Sequence, residues 1–405
     1  MGRNVPQLRF PEFTSEWEEK TLGDIFTFYS TNSLSRDKLN YTGGPYKNIH
    51  YGDIHMIFPT VLNVSETEIP YINDGVKVKL TDDNFVQDGD IAIADASEDY
   101  ADIGKAIEIV GVGDEKLVCG LHTLHGRDLN NVMINGFKGY LLRTPKVRRQ
   151  MMTLCAGAKV LGISKDNINS VSVNIPSKEE QEKIKNLLVA YDNLIRNQEE
   201  KISALKERKQ GLLKKIFTQQ VRFKDQDGND YPAWEEKTLG DICDFLDEKR
   251  KPLEAGEREP GEYPYYGASG IIDYVKDYIF DERLVLLSED GANILDRNYP
   301  VCFIAEGKYW VNNHAHVLKV HKGYVDSLVC EAVELLRFNK YNTGTAQPKL
   351  NKEVCKKLPI KLPSFEEQKK IANVLSVFDK KIEVEQEILN NMQEFKKGLL
   401  QKMFI

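Results

Sequence analysis

The chain has 405 residues, 41% of them hydrophobic and 29% charged, and this length predicts two or three domains rather than one core. No apolar run approaches the ~18 residues that span a bilayer, and the start MGRNVPQLRF lacks the features of a secretory signal, so we expect a cytoplasmic protein with no membrane span. The six cysteines include no CxxC pair, which argues against a disulfide framework or a structural zinc site, and the net charge of −7 neither supports nor excludes a nucleic-acid partner.

The first recognisable element is the nonamer WEEKTLGDI at Trp17–Ile25, which recurs at Trp234–Ile242. Short stretches with strand-like alternation follow each copy, such as GDIAIA in the first half and RLVLLS in the second, separated by turns rich in glycine and asparagine. The regions 17–174 and 234–361 are therefore each predicted to form a compact α+β domain rich in β-structure.

The next element is a long helix that is also repeated. Residues 175–217 align without a gap with residues 362–404 and are identical at 19 of 43 positions. Each copy begins with a proline and the S-x-x-E spacing of a capping box, which marks a helix start. Acidic residues follow in the first turn and lysines occur in the last, as the helix dipole favours. The chain is thus an internal repeat of variable region and shared helix.

Apolar residues recur along both helices by alternating steps of four and three, the period of a coiled coil. Two positions in each stripe are polar: Gln198 and Lys209 in the first helix, and Glu385 and Lys396 in the second. If the helices pack antiparallel, one register places Lys209 level with Glu385 and Gln198 level with Lys396. We take this register as a hypothesis, because polar residues at stripe positions commonly fix the alignment of a coiled coil.

These patterns predict an α+β architecture with a pseudo-two-fold internal repeat, in which two β-rich domains are joined and followed by two long helices packed as an antiparallel coiled coil. The predicted segments are a first globular domain at 1–174, a central helix at 175–217, a second globular domain at 218–361 and a distal helix at 362–405.

The sequence contains no motif for catalysis. A phosphate-binding GxxxxGK[ST] loop, an HExxH motif and a Gly-rich dinucleotide turn are all absent. His314, His316 and His321 cluster in NNHAHVLKVH, which leaves a metal site as one alternative, although no nearby carboxylate or thiol completes a ligand set. Contact with a partner through hydrogen bonds is the favoured interpretation of these histidines.

Polar loops follow strands in the same order in the two variable regions. SEDYADIGKA and GLHTLHGR occur in the first region, and SEDGANILDR and VNNHAH in the second. Each of these residues singly could serve ordinary turn chemistry. As a set, they carry the side chains that hydrogen-bond to base edges, and the paired order predicts a recognition face on each domain.

Taken together, the chain resembles the specificity subunit of type I restriction–modification systems over essentially its whole length. The resemblance rests on WEEKTLGDI, YYGASGIIDYVKDYIFD, DGANI, WVNNHAHVL and the junction GTAQPKLNKEVCKKLPIKLPSFEEQKKIA. The first junction, GAKVLGISKDNINSVSVNIPSKEEQEKI, matches less well, since Val160–Leu161 stand where the family often has Gln-Pro.

The resemblance implies two target recognition domains, each of which reads one half of a bipartite, asymmetric site in double-stranded DNA. It implies that the helices set the spacer and dock two methyltransferase subunits, which restriction or translocase subunits join. On this interpretation the chain is not an enzyme and holds no metal or other cofactor. S-adenosylmethionine belongs to the methyltransferase subunits, and ATP and magnesium belong to the restriction subunits.

The polar loops and junctions supply the candidate DNA contacts. Base contacts are expected from the loops and phosphate contacts from the junctions beside the helices. The base candidates are Ser97, Lys105, His122, Thr123, His125 and Arg127 in the first domain and Asn293, Arg297, Asn312, Asn313, His314 and His316 in the second, and the phosphate candidates are Lys165, Gln347, Lys349 and Lys352. Two other classes remain open: a coiled-coil scaffold whose globular ends bind proteins, and an enzyme such as a nuclease with a site that lacks a recognisable motif.

Overall fold

The structure is a computed structural model that describes residues 4–157 and 159–405. Its residues divide into two compact units: unit 1, Met1–Glu200 with Glu387–Ile405, and unit 2, Lys201–Gln386. Each unit contains one globular domain and a part of each long helix. In the segments predicted from the sequence, each globular domain ends where a long helix begins. In the structure, each compact unit also includes part of both helices.

Unit 1 is a mixed α+β domain built on short strands. Within the described residues its elements are β1 Glu18–Thr21, α1 Leu22–Ile25, β2 Thr27–Tyr29, β3 Leu39–Asn40, β4 Lys47–Ile49, α2 Tyr51–Met56, β5 Val61–Asn63, β6 Tyr71–Ile72, β7 Ile91–Ala94, β8 Ala96–Ser97, β9 Ala106–Val110, β10 Leu117–Cys119, β11 Thr123–Arg127, α3 Lys138–Leu142, α4 Pro145–Thr153, β12 Leu161–Gly162, α5 Lys165–Asn169, β13 Ser172–Ile175 and the start of α6 Lys178–Phe217, with 3₁₀ turns at Arg36–Lys38 and Asp82–Asn84.

Unit 2 repeats the same plan with different lengths. Its elements are the end of α6, β14 Glu235–Thr238, α7 Leu239–Ile242, β15 Cys243–Phe245, β16 Pro260–Gly267, β17 Gly270–Val275, β18 Phe280–Asp281, β19 Leu284–Ser288, α8 Asn293–Asp296, β20 Cys302–Ala305, β21 Lys308–Val311, β22 Ala315–Val320, α9 Asp326–Glu334, α10 Lys352–Lys356, β23 Pro359–Leu362 and the start of α11 Phe365–Lys402, with 3₁₀ turns at Asp247–Lys249, Ala255–Glu257 and Phe338–Lys340.

Two sheets form the body of each unit. In unit 1 one sheet has the order β2-β11-β7-β9-β5 and the other β10-β4-β6-β3, and in unit 2 the orders are β15-β22-β19-β20 and β17-β16-β21-β18. The central strands are apolar on both faces: β7 and β19 are buried along their whole length. In each unit the sheet that contains this central strand therefore lies between two hydrophobic cores.

The repeated nonamer has a structural role. Its first residues form β1 or β14, which pair antiparallel with the strand that leads into the long helix, β13 or β23. The next residues form a short capped helix in which Leu22 and Leu239 are fully buried. The tryptophan that opens each copy packs edge-on against a phenylalanine. Trp17 contacts Phe404, two residues beyond the end of α11, and Trp234 contacts Phe217, the last residue of α6. WEEKTLGDI thus joins each globular domain to the long helices by strand pairing and aromatic packing. It occurs twice because each unit has one such junction.

The two long helices are present as predicted and pack antiparallel in each unit. In unit 2, Lys201 pairs with Glu385, and Lys209, eight residues further along α6, pairs with Asp379 at 2.7 Å. In unit 1, Lys396 of α11 forms an ion pair with Asp192 of α6. The helix packing of the predicted fold is therefore confirmed.

The register predicted from the sequence is wrong. Lys209 contacts Asp379 and, at 2.6 Å, Glu331 of α9, whereas Glu385 contacts Lys201, so Lys209 and Glu385 are not partners. The predicted partner of Gln198, Lys396, pairs instead with Asp192. The observed alignment is shifted by about one heptad, so the apolar stripes still meet while the charges pair differently.

An arginine–glutamate pair fixes the start of each long helix. In unit 1, Arg9 donates two hydrogen bonds of 2.7 Å to the buried Glu180 in the first turn of α6. In unit 2, Arg222 makes the same bidentate contact with the buried Glu367 in the first turn of α11. Each pair ties the segment before the domain to the helix after it, and a bidentate pair of this kind is geometrically specific.

Candidate nucleic-acid interface

A histidine with a carboxylate partner occupies the same place in both units, where one central strand ends and the next begins. In unit 1 the backbone NH of Asp95, after β7, donates to the carbonyl of His122, just before β11, at 3.1 Å. In unit 2 the NH of Glu289, after β19, donates to the carbonyl of His314, just before β22, at 2.8 Å. The two histidines are therefore structurally equivalent.

Both histidine side chains are about half-exposed and are held by an acid. His122 Nδ1 lies 3.3 Å from Asp95 Oδ1, and His314 Nδ1 lies 2.9 Å from both carboxylate oxygens of Asp290. Burial raises the pKa of Asp95 above its ordinary value, with His122 acting in the opposite direction. In each pair the carboxylate orients the half-exposed ring through Nδ1, and the imidazole has a second ring nitrogen that can form a hydrogen bond.

Backbone strain marks the position in unit 1. His122 has a φ of +55°, in the left-handed region that residues other than glycine rarely adopt. Such a conformation persists only where the surroundings impose it. Here the bond from Asp95 and the contact with Tyr51, whose ring lies edge-on to the imidazole at 5.2 Å, hold it in place.

The repeated junction before each long helix packs beside this histidine loop. The NH of Ile163 donates to the Asp95 carbonyl at 2.9 Å, and the NH of Leu350 donates to the Glu289 carbonyl at 2.7 Å. The junction turn begins at a glycine in both units, and a side chain at Gly344 would collide with the Gln347 carbonyl. The repeated junction therefore supports the histidine loop in each unit.

In unit 2 an internal charge network braces the loop. Arg250 donates to Glu289 at 2.7 Å and to the backbone carbonyls of Asn313 and Ala315. Burial opposes ionisation of Glu289, but the hydrogen bond from Arg250 and the nearby cationic groups hold its pKa below the ordinary value. Arg250 thus clamps both ends of the turn that presents His314.

A corresponding network in unit 1 lies inside the sheet. His125 Nε2 is 2.7 Å from Asp90, and Arg127 donates to the same carboxylate through Nε and Nη2 and to the Phe85 carbonyl. Burial opposes ionisation of Asp90, yet these hydrogen bonds keep its pKa below the ordinary value. The network is a structural element of the domain.

The histidine cluster of unit 2 does not assemble into a metal site. His314 contacts Asp290, His316 lies between Asp247 and the Leu350 carbonyl, and His321 contacts Asp244. Among residues 4–157 and 159–405, no group of three or more histidine, cysteine, aspartate or glutamate side chains is placed to hold a metal ion. Over the same residues, none of the helices combines the length and the apolar character that crossing a bilayer requires.

Comparison with known proteins agrees with this doubled arrangement. The profile of the type I restriction modification DNA specificity domain matches residues 14–207 and 232–394, most of the chain. The chain belongs to this family. Each half of the match contains one of the histidine loops, so each unit carries one specificity domain.

Relatives extend over different shares of the chain. A Haemophilus influenzae protein provisionally named a type I restriction enzyme specificity subunit is 33% identical over 139 residues, which covers 34% of this chain and 36% of that protein. A provisionally named specificity subunit from Methanocaldococcus jannaschii is 23% identical over 98% of this chain and 95% of its own length. The crystal structure of the specificity subunit from M. genitalium shares the fold, with a TM-score of 0.55, 17% identity and 99% coverage of both chains.

The specificity domains expose only some of the predicted base candidates. His122, Asn313 and His314 are exposed at the histidine loops, and Lys105 is partly exposed beside them, where it pairs with Asp102 and donates to the His55 carbonyl. Within its own unit, each of these residues lies at or beside the histidine loop. That they contact bases remains a prediction.

Six other base candidates are buried, and their assignment needs correction. Thr123 donates to the Gly120 carbonyl, Ser97 accepts from the NH of Asp99, and Asn312 accepts from the NH of His314. The remaining three belong to the internal charge networks. Each of the six is less than a tenth exposed in this structure: Ser97, Thr123, His125, Arg127, Asn312 and His316.

The last two base candidates stabilise their own loop. The Asn293 side chain makes paired hydrogen bonds with the backbone of Tyr299. Arg297 has a left-handed backbone, with φ of +58°, and its guanidinium contacts Glu334 of α9 and the ring of Phe338. Their guanidinium and amide groups are therefore engaged inside unit 2.

The phosphate candidates lie on or near the junctions. Lys165 and Gln347 are exposed, and Lys349 is exposed with its ammonium 3.2 Å from Glu289. Lys352 is partly buried, with its ammonium over the Phe245 ring. Contact of these residues with phosphate remains a prediction.

The sequence did not single out several residues that position the site. Asp95, Asp290 and Arg250 orient the histidine loops, while Arg9 and Arg222 anchor the helices. The arginines had a visible signal, since an Arg-Phe dipeptide precedes each tryptophan of the repeated nonamer.

Proposed function

We propose that this chain is the DNA specificity subunit of a type I restriction–modification complex and that each specificity domain reads one half of a bipartite, asymmetric DNA site. The observation that carries this proposal is the exposed histidine–carboxylate pair at the equivalent strand ends of both units. The two pairs lie in loops that differ in sequence, and these loops are supported by junctions that are repeated in both units. Two dissimilar reading faces on equivalent scaffolds suit two dissimilar half-sites.

The helices have the length that a spacer requires. α6 has 40 residues and α11 has 38, which at ~1.5 Å per residue corresponds to roughly 60 Å. This length is between one and two turns of B-DNA at about 34–36 Å per turn. The antiparallel helices would then set the number of unspecified base pairs and dock two methyltransferase subunits.

Catalysis would reside in the partner subunits of this complex. The chain itself would transfer no methyl group and cleave no DNA, with S-adenosylmethionine held by the methyltransferase subunits and ATP and magnesium by the restriction subunits, all in the cytoplasm. The net charge of −7 is compatible with DNA as a ligand if the partner subunits supply much of the phosphate contact.

The test is a single-molecule map of adenine methylation across the host genome, with the coding sequence intact and deleted. The expected result is the loss of one bipartite motif on deletion. Substitution of His122→Ala and of His314→Ala should each relax base selection in a different half of that motif. An unchanged methylation map on deletion would refute the proposed function.

A further inference from the structure

Large apolar side chains are exposed beside the histidine loop in both specificity domains. In unit 1 the segment after β4 ends in Met56 and Ile57, which are 81% and 59% exposed. In unit 2 the segment after β16 carries Ile271 and Ile272, which are 46% and 51% exposed. We refer to Met56–Ile57 and Ile271–Ile272 as the apolar tips.

The two apolar tips occupy equivalent places in the fold. β4 pairs in parallel with β10, and β16 pairs in parallel with β21. The residue after β10 and the residue after β21 each donate a backbone hydrogen bond to the partner strand, Gly120 to Ile49 at 2.8 Å and Asn312 to Tyr266 at 3.0 Å. One tip ends a short helix and the other lies on a hairpin. Each nevertheless follows the equivalent strand of the equivalent sheet in its own unit.

In unit 1 the segment that carries the tip is fixed against the recognition loops. The Tyr51 ring packs edge-on against His122, and His55 Nε2 lies 3.1 Å from the Ala96 carbonyl in β8. Lys105 donates to the His55 carbonyl at 3.1 Å. Met56 follows His55 directly, so the exposed apolar side chains adjoin the hydrogen-bonding groups around His122.

In unit 2 the tip lies equally close to the recognition loop. The hydroxyl of Ser288, at the end of β19, donates to the Ala268 carbonyl in the hairpin turn. Gly267 has no side chain, and a Cβ there would lie 3.1 Å from Ile272 Cγ2 and 3.4 Å from Asn312 Nδ2. Ile272 is therefore adjacent to the turn that presents Asn313 and His314.

We propose that each apolar tip contacts a thymine methyl group in the major groove, next to the bases that His122 and His314 contact. The inference rests on the proposed function. The methyl group of thymine is the apolar feature of the major-groove edge, and it matches side chains that stay exposed at equivalent positions beside hydrogen-bonding histidines.

The experiment uses the full chain assembled with the methyltransferase subunits of its host. The methylation map first gives the site, and duplexes are then made in which each dT is replaced in turn by dU, which lacks only the methyl group. Methylation by the wild-type complex should be about fourfold slower when dU replaces dT at one position in each half-site. A change of about fourfold is the effect expected for one buried methyl group.

The paired variants assign that effect to the tips. Met56→Ser with Ile57→Ser should abolish the dU effect in one half-site and leave the effect in the other half unchanged. Ile271→Ser with Ile272→Ser should show the reverse. Leu129→Ser, at the far end of β11, and Leu335→Ser, after α9, are matched controls because both leucines are exposed to a comparable extent, and they should respond to dU as wild type does.

The proposal is overturned if no dU position slows the wild-type complex, or if the tip variants keep the wild-type response to dU. In either case a bipartite methylation motif that depends on the chain would leave the proposed function intact. If wild type supports no such motif, the proposed function itself fails. Thermal melting of all variants should match wild type, since the substituted side chains are exposed.

Discussion

Reversing the charge of Lys209 tests how the two long helices pair in unit 2. The Lys209 ammonium lies 2.7 Å from Asp379 and 2.6 Å from Glu331. The hydrogen bonds to these two carboxylates raise the pKa of Lys209, although burial acts against them. Lys209→Glu would place three carboxylates together, and Lys209→Glu with Asp379→Lys would restore one ion pair across the helices.

The expected loss of stability in Lys209→Glu follows from the partial exposure of the ion pair. The Lys209 side chain is 18% exposed, but its partner Asp379 is 55% exposed, so solvent screens the pair. An exposed pair contributes about 0.2–1 kcal/mol, and the single reversal turns two attractions into repulsions. We therefore expect Lys209→Glu to lower the free energy of unfolding by about 2 kcal/mol, and the double variant to recover about half of that loss.

The assay is equilibrium urea denaturation of the full chain in a double-mutant cycle, followed by intrinsic tryptophan fluorescence, to which Trp234 contributes from its contact with Phe217 at the end of α6. The comparison variant is Lys209→Glu with Glu385→Lys, which tests the register that the stripe pattern suggested. Recovery in this variant but not with Asp379→Lys would refute the helix alignment described above. High salt should reduce the coupling in the correct pair.

Three other substitutions, with Gly398→Ala as a control, test the internal supports. Asp90→Asn should lower the free energy of unfolding by about 3–5 kcal/mol in urea denaturation, because it leaves the buried Arg127 guanidinium without its carboxylate partner. The pKa of Asp90 and that of Asp247 are lowered in the folded chain. The stability that each carboxylate contributes is therefore complete above the ordinary pKa of about 3.9 and is lost as pH falls through the folded pKa. The free energy of unfolding of Asp90→Asn should accordingly fall less steeply on acidification than that of wild type. Gly344→Ala should lower the thermal midpoint because its Cβ meets a carbonyl, whereas Gly398→Ala, in open space on α11, should stabilise by about 0.5–1 kcal/mol. Arg250→Ala should weaken base selection in only one half-site on the methylation map, and equal loss in both halves would contradict its role as a clamp.

The repeat and the long helices could be predicted because their signals are local. A capping box, charged first and last turns and a 3.5-residue stripe depend only on neighbouring residues, and the helices begin at Lys178 and Phe365, directly after the predicted starts. The register could not be predicted in the same way. The sequence paired polar residues within the stripe, but Asp192 and Asp379 lie one position beyond it and provide the carboxylates that meet Lys396 and Lys209.

The candidate site was harder to predict because a strand exposes only one of its faces. Thr123, His125 and Arg127 alternate along β11 and share one side of it. Their polarity suggested a solvent-facing surface, yet that side is buried and Asp90, more than thirty positions away, satisfies two of them. Polar residues in a buried strand belong to an internal hydrogen-bond network when a carboxylate contacts them. The sequence does not show that Asp90 lies within contact of β11.

The two charge networks explain how different reading faces stand on equivalent joints. In unit 1, Asp90 organises the interior with His125 and Arg127, whereas in unit 2 Asp247 and His316 take a different arrangement around Arg250. Buried ion pairs tolerate the loss of one partner poorly, so each interior must vary as a set. The junctions obey a separate constraint, since the tryptophan–phenylalanine contacts and the arginine–glutamate pairs that join each domain to its helices are alike in both units. Loops supported from both sides can therefore differ in sequence while the histidine keeps its place.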